Sequence, residues 1–153
     1  MDVILFKPGS GIAGASQHPG YEGWIELLSV EHRFEQPGTG KPSFSELTVS
    51  KGMDAGSTAL YQALLHDEPL GRSPIVFAQH TEDGGLYPTF TLTLLDAALV
   101  SIEVSAMPDA VPLEMIKLRF SGLIWDYAGA DAPMPQQASW NINRNKPVMT
   151  DLL

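Results

Sequence analysis

The stretch that most constrains the fold is residues 113–127, which read LEMIKLRFSGLIWDY. Between Met115 and Phe120 apolar and basic side chains alternate, so that Lys117 and Arg119 share one side of an extended chain. The apolar side chains of Ile116, Leu118 and Phe120 then share the opposite side. This alternation predicts an antiparallel β-strand with one buried face and one polar face.

The pattern changes at Gly122, within the same segment. The run from Leu123 to Trp125 is apolar on both faces, and a glycine inside a strand often marks a bulge or a close approach of another backbone. We therefore expect the strand to bend there or to gain a second packing partner. A self-associating β-barrel would present such a strand, although a central strand of a monomeric sandwich has the same pattern.

Most of the remaining chain also shows strand patterns. Residues 23–35 read as one long strand whose register slips between Leu27 and Leu28, which predicts a bulge near Leu28. With residues 113–127, a total of about seven strands is expected. The other five are residues 3–7, 45–51, 75–80, 87–95 and 99–105.

One helix is predicted immediately after Ser57. This serine is a suitable N-cap, and residues 58–66 contain neither glycine nor proline. Leu60 and Leu64 lie four residues apart and form an apolar stripe together with Tyr61 and Leu65. We expect this helix to flank the strands.

The length and composition favour one domain stabilised by packing alone. A chain of 153 residues can remove roughly two thirds of its unfolded surface from solvent. Residues 1–153 are predicted to form a single β-barrel domain, in which residues 129–153 are a tail with little hydrophobic periodicity. Cysteine is absent, which excludes disulfides, thiolate metal sites and cysteine nucleophiles.

The charge and the hydropathy pattern restrict the partners. The formal net charge is −9, and the nine lysines and arginines are scattered, which argues against nucleic-acid binding. The apolar run at residues 3–6 is short, and no later run approaches the roughly 18 residues of a membrane span. We expect neither a signal peptide nor membrane insertion, so that export would require a dedicated machine.

A glycine-rich segment matches a nucleotide-binding motif by its letters only. Gly9, Gly11 and Gly14 satisfy G-x-G-x-x-G after a predicted strand. A dinucleotide site also needs a helix that begins at the third glycine. Residues 17–20, QHPG, would break such a helix, so we predict a glycine loop and no cofactor.

Catalytic and metal-binding motifs are not found in the sequence. The four histidines show no spacing typical of a metal site. Residues 82–85, EDGG, are interpreted as the tip of a hairpin, and no G-x-S-x-G nucleophile motif occurs. We therefore predict no catalytic residue, no metal site and no enzyme.

The order of several motifs over residues 3–128 resembles the Hcp family, the haemolysin-coregulated tube proteins of type VI secretion systems. The motifs are Gly11-Ile12-x-Gly14-x-Ser16, Gly23-Trp24-Ile25-x-Leu27-x-Ser29, Leu47-x-Val49-x-Lys51-x-x-Asp54 with Ser57-x-x-Leu60, and Leu118-x-Phe120 with Ile124, Trp125 and Tyr127. The sequence departs from the family at Ala15, where an acidic residue is common, and its last twenty or so residues match loosely.

This resemblance implies a compact β-barrel of two antiparallel sheets with one flanking helix, assembled as a hexameric ring. Rings of this family stack into an inner tube that a contractile sheath expels, with a spike protein at the tip and small effector proteins in the lumen. The implied protein is made in the cytoplasm and then secreted. Its role is structural rather than enzymatic.

Five residues are candidates for a subunit interface or the lumen of such a ring. They are Ser29, Glu31, Arg33, Lys117 and Arg119, which occupy the polar faces of the two longest predicted strands. One alternative is a monomeric carbohydrate- or peptide-binding β-sandwich, for which a solvent-exposed tryptophan would be evidence. A small β-barrel enzyme is another, and it would need a pocket that joins His32 or His80 to a carboxylate.

Overall fold

The computed structural model describes residues 2–38 and 40–148. Within these ranges the chain forms eleven β-strands and one α-helix, α1 (Ser57–Leu65). The strands are β1 (Val3–Phe6), β2 (Ile25–Leu27), β3 (Ser29–Glu31), β4 (Phe34–Glu35), β5 (Ser43–Phe44), β6 (Leu47–Gly52), β7 (Gly71–His80), β8 (Leu86–Ser105), β9 (Leu113–Arg119), β10 (Gly122–Tyr127) and β11 (Gln136–Asn141).

Nine of these strands form two antiparallel sheets that share β8. Sheet A has the order β2-β1-β7-β8-β10-β11, and sheet B has the order β3-β6-β9-β8. The pairs among the described residues follow an open path from β2 to β3. The expected mainly β fold with one helix is therefore confirmed as two sheets, without a closed ring of strands in this part of the chain.

Strand β8 replaces two predicted strands, residues 87–95 and 99–105. Its first half pairs with β7 and β10, whereas residues 98–105 pair with β9 in sheet B. Asp96, at the change between sheets, has a positive φ of 52°. The strand bends at this residue but does not end there. Residues 96–98, which separate the two predicted strands, therefore mark a bend within one strand.

The predicted strand at residues 23–35 is wrong as one element, because the chain changes sheets at Leu28. Strand β2 pairs with β1 in sheet A, β3 pairs with β6 in sheet B, and β4 belongs to a separate hairpin. The Leu28 amide donates to the Ser50 carbonyl oxygen at 2.7 Å, and the Leu28 side chain is 62% exposed. The register slip was read correctly, but its cause is a sheet change rather than a bulge.

Residues 113–127 also form two strands in different sheets. The alternation predicted for the first part is confirmed, since Ile116 and Leu118 are buried and Lys117 and Arg119 are exposed in β9. The second part, β10, pairs with β8 and β11 in sheet A. A Cβ on Gly122 would lie 2.9 Å from the Trp140 carbonyl oxygen, because β11 passes close to it.

The tail contains more structure than its sequence pattern predicted. Strand β11 lies in residues 129–153 and forms an edge of sheet A beside β10. Burial within it is slight, which explains why hydrophobic periodicity did not reveal it. Residues 149–153 lie outside the described part of the chain.

The helix is confirmed, but its cap differs from the prediction. Gly56 occupies the N-cap position without a side-chain cap, and Ser57 is the first helical residue. Leu60 and Ala63 are buried in the core, whereas Leu65 of the predicted stripe is 78% exposed. The Ser57 hydroxyl is used in a buried polar network described below.

The core lies between the two sheets and α1. Its buried members are Phe6, Ile25, Leu27, Leu47, Val49, Leu60, Ala63, Leu70, Ile75, Leu92, Leu94, Ala97, Leu99, Ile116, Leu118 and Leu123. The alternating strands each contribute one face to this core, which leaves the other face of sheet B polar.

The glycine motif is explained by packing. A Cβ on Gly9 would lie 2.4 Å from the Arg72 carbonyl oxygen, and a Cβ on Gly14 would lie 2.7 Å from the Ile25 Cα. As predicted, no helix follows this loop, since residues 7–24 contain none. The glycines therefore allow the loop to lie against the two neighbouring segments.

Candidate functional site

The outward face of sheet B, here called the polar face, gathers the predicted site residues. Four strands present two rows of side chains across it, in the registers of β3, β6, β9 and β8. One row is Ser29, Ser50, Met115 and Glu103, and the next is Glu31, Thr48, Lys117 and Ser101. The face is therefore rich in hydroxyl groups and carries charges of both signs.

Three of the five candidates line one groove on this face. Glu31, Arg33 and Lys117 surround a groove of about 370 Å³ together with side chains from the segment between β5 and β6. Thr48 lies in register between Glu31 and Lys117. Within the described chain, Arg33 forms an ion pair with Glu35, whereas Lys117 has no carboxylate within ion-pairing distance.

The other two candidates flank this groove. The Ser29 hydroxyl lies 2.5 Å from the Ser50 hydroxyl oxygen. Arg119 lines a neighbouring groove of about 320 Å³, and its Nη2 lies 3.7 Å from Asp67 Oδ1. Of the five candidates, three share one groove and Arg119 lines the neighbouring one.

Sequence reasoning missed a buried polar network beneath sheet B. Lys51 on β6 and Glu114 on β9 are fully buried and form an ion pair. Lys51 Nζ also lies 3.0 Å from Ser57 Oγ and 3.1 Å from Asp54 Oδ1, while Ser57 Oγ donates to Glu114 Oε1 at 2.9 Å. Tyr61 donates its hydroxyl proton to Glu114 Oε2. The network therefore joins α1 to two strands.

The alternation of apolar and polar residues in β6 and β9 contained a signal for this network. Glu114 is in phase with Ile116 and Leu118, and Lys51 is in phase with Leu47 and Val49. A charged residue at an inward position indicates either a strand end or a buried pair. The register pairs Lys51 with Glu114 directly, so here the second case holds.

The network sets the protonation of its members. Burial alone would raise the pKa of Glu114, but hydrogen bonds from Lys51, Tyr61 and Ser57 outweigh it and hold this pKa below its usual value. The hydrogen bond to Glu114, followed by burial and the negative charge of Glu114, raises the pKa of Tyr61 to about 12. At neutral pH the carboxylate is therefore charged and the phenol is neutral.

Tyr61 should give the protein a specific alkaline instability. In the unfolded chain a tyrosine loses its proton near pH 10, whereas the folded chain keeps it until about pH 12. The stabilisation is thus complete below pH 10 and is lost as the pH rises to about 12. We expect the free energy of unfolding, measured in urea, to be lower for Tyr61→Phe than for wild type at pH 8. This difference should disappear by pH 12. Tyr21→Phe is the control, because within the described chain its hydroxyl makes none of the hydrogen bonds found for the other three tyrosines, and the same pH dependence in this variant would contradict the assignment.

An aromatic cluster lies beside the groove. Ring centroids are 5.4 Å apart for His32 and Phe34, 5.4 Å for His32 and Phe120, and 5.3 Å for Phe34 and Trp125. Phe44 stacks on Phe34 with an interplanar angle of 16°. The cluster attaches the small hairpin of β4 and β5 to β9 and β10.

Within residues 2–38 and 40–148, no group of three or more histidine, aspartate or glutamate side chains could hold a metal ion. His32 and His80 have no carboxylate within ion-pairing distance in the same ranges. Trp24, Trp125 and Trp140 are all half-buried.

No helix in the described chain has the length and apolarity needed to cross a membrane.

Comparison with known proteins gives one family. The family described as "Type VI secretion system effector, Hcp" matches residues 6–127, which is well over half of the chain. No curated protein sequence matches at a significant level.

Solved structures have the same fold. Hcp1 from Salmonella typhimurium superposes with a TM-score of 0.82 at 21% identity, over 95% of this chain and 98% of that one. A type VI secretion system effector from Yersinia pestis gives 0.78 at 17% identity, over 90% and 98%. The secreted protein Hcp3 from Pseudomonas aeruginosa gives 0.70 at 16% identity, over 91% and 97%. At these identities the likeness establishes the fold.

Proposed function

The chain belongs to the Hcp family, the secreted tube proteins of type VI secretion systems, and we propose that six copies of it close into a ring. Stacked rings then form the tube, which a contractile sheath expels with a spike protein at its tip. The observation that carries this proposal is the family match over residues 6–127.

The free edges of sheet B suit a head-to-tail ring. Among the described residues, β3 pairs only with β6, and residues 98–105 of β8 pair only with β9. These two unpaired edges lie on opposite sides of the sheet. A contact between different surfaces of successive copies is heterologous, and such contacts close into rings when the rotation allows it.

The polar face suits the wall of the lumen better than the centre of a subunit contact. The centre of a protein interface is depleted in charged residues, whereas this face carries Glu31, Glu103 and Lys117 among serine and threonine. Six copies at −9 each give a summed formal charge of about −54, which opposes assembly at long range. The subunit contacts must therefore be complementary or apolar enough to outweigh this repulsion.

The ring is tested with Lys117→Glu. If Lys117 faces the lumen, the variant should fold normally and elute from size exclusion as the same hexamer as wild type. Negative-stain images of both proteins should show six-fold annuli. Arg144→Glu, an exposed residue after β11, is the matched charge reversal. A monomeric wild-type protein would contradict the ring, and a dissociated Lys117→Glu beside a hexameric Arg144→Glu would place the polar face at the subunit contact instead.

Two turns are candidates for contacts between stacked rings. Residues 36–42 join β4 to β5, and the tip near Gly84 joins β7 to β8, so both project from strand ends. Thr39 lies outside the described residues. We expect deletion of residues 38–40 to leave hexamers intact while shortening or abolishing tubes in electron micrographs. Loss of the hexamer itself would show that this loop closes the ring.

The remaining roles follow from the family. We propose that small effector proteins travel in the lumen, that the chain leaves the cell through the type VI apparatus, and that residues 1–153 form one domain with a structural role. The carbohydrate- or peptide-binding sandwich gains no support, since all three tryptophans are half-buried.

A further inference from the structure

The hairpin of β4 and β5 is joined to the molecule by few contacts. It forms a separate two-stranded sheet with two residue pairs, Phe34 with Phe44 and Glu35 with Ser43. At its base, the Ser45 amide donates to the Arg33 carbonyl oxygen at 2.9 Å, and the Arg33 amide donates to Ser45 Oγ at 3.1 Å. The hairpin therefore depends on the side chains that pack against it.

His32 lies at the centre of this packing. Its ring contacts Phe34 and Phe44 on the hairpin and Phe120 after β9. Its Nε2 lies 3.1 Å from the Ser45 carbonyl oxygen. Because a carbonyl oxygen only accepts, Nε2 must carry the ring proton. The other nitrogen, Nδ1, then holds a lone pair, and it is buried with no hydrogen-bond partner.

A second proton on this ring would have no acceptor. His18 lies 3.5 Å from Glu26 and His66 lies 3.8 Å from Glu68, so those rings have a carboxylate for a positive charge. Among the described residues His32 has none within 4.0 Å.

Charged groups of both signs also lie around His32. Those lining its groove are Glu31, Glu46, Arg33 and Lys117. On the hairpin, Glu35 is paired with Arg33, and beside Phe120, Arg119 is near Asp67. With Glu35 included, these side chains leave an excess of one negative charge near the ring, but no carboxylate of the described chain lies within 4.0 Å of the ring nitrogens to pair with the protonated form.

We propose that His32 is a pH-sensitive latch, which holds the β4–β5 hairpin closed while its ring is neutral and releases it on protonation. Burial lowers the pKa of His32, and the hydrogen bond to Ser45 offsets this only in part. In the open hairpin the ring would have the ordinary value of about 6.5. As the pH falls below that value, the open form takes up a proton and the closed form resists it, so the equilibrium moves toward opening.

Amide hydrogen exchange tests the latch directly. The protection factor of the Ser45 amide, corrected for the intrinsic rate at each pH, reports on opening at the hairpin base. Between pH 7.5 and pH 5.0 we expect it to fall in wild type by up to about 30-fold, the linkage limit for a group with an open-state pKa of about 6.5. The Leu28 amide, bonded to Ser50 O at 2.7 Å, should show no comparable loss.

Two variants separate the latch from general acid sensitivity. His32→Gln can still donate to the Ser45 carbonyl oxygen, and His32→Phe keeps an aromatic ring, but neither side chain titrates in this range. In both, the Ser45 protection factor should be the same at the two pH values. An unchanged wild-type protection factor would overturn the proposal, and so would an equal acid-induced loss in a folded variant.

The consequence for assembly rests on the proposed function. The hairpin carries residues 36–42, the loop assigned to ring stacking, so wild-type tubes should shorten at pH 5.0 while His32→Gln tubes keep their length. The exchange measurement needs no tubes, so failure of the stacking assignment and failure of the latch give different results.

Discussion

Lys51→Met is expected to lower the free energy of unfolding by about 3–5 kcal/mol, the usual cost of removing one partner from a buried ion pair. Lys51 and Glu114 are both 0% exposed, so the variant would leave a carboxylate inside the protein without its cation. Two hydroxyl donors, Ser57 and Tyr61, would remain, but they carry no charge. Since a domain of this size has about 5–15 kcal/mol in total, the midpoint of a urea unfolding curve should move markedly.

Two controls identify the cause of that loss. The double variant Lys51→Met with Glu114→Gln removes both charges and keeps one oxygen that can accept from Ser57 or Tyr61, while the amide nitrogen faces the other hydroxyl oxygen, so it should recover part of the lost stability. Lys117→Met, on the exposed side of β9, should change the midpoint little. If the double variant is no more stable than Lys51→Met alone, an unpaired charge is not the reason for the loss.

Phe6→Ala should cost about 3–5 kcal/mol, the range for a buried phenylalanine. Phe6 is 1% exposed at the end of β1, where it pairs with Ile25 on one side and Ile75 on the other. Its removal would leave a cavity between two strands that are themselves fully buried there. Equilibrium unfolding in guanidinium chloride measures the cost.

Exposed and half-buried phenylalanines provide the comparison. Phe34 is 54% exposed, so Phe34→Ala should cost far less than Phe6→Ala. Phe120 was expected from its alternation to be a core residue, but it is half-buried at the edge of the aromatic cluster. We expect an intermediate loss for Phe120→Ala, and an order that does not follow burial would contradict this reading.

The alternation in residues 115–119 predicted which face of that strand is buried, but not which sheet the strand joins. Alternation around Ile116 and Leu118 depends only on neighbouring residues, and the structure confirms it. The sheet change at Leu28 depends on Ser50, whose carbonyl oxygen accepts its amide. A local pattern cannot distinguish a bulge from a change of partner, because both shift the register by one residue.

The candidate site, like the fold, was predicted only in part. Alternation placed Lys117 and Arg119 on the polar side of their own strand and Glu31 on the polar side of another, but only the pairing of β3 and β9 with β6 puts these sides on a common face. Lys51 and Glu114 were missed, since a charged residue at an inward position can mark a strand end as well as a buried pair, and only the partner 63 positions away decides between the two. The latch at His32 likewise depends on rings from three separate segments.

The continuity of β8 has a mechanical consequence for the proposed tube, which a contractile sheath would expel under force. Its 20 residues run through both sheets and bond to β7, β9 and β10. An axial load that tries to slide one sheet over the other must therefore stretch a covalent backbone or break several ladders of hydrogen bonds at once. Each subunit should respond to acceleration as one stiff body, so that strain in a moving tube concentrates at the contacts between subunits.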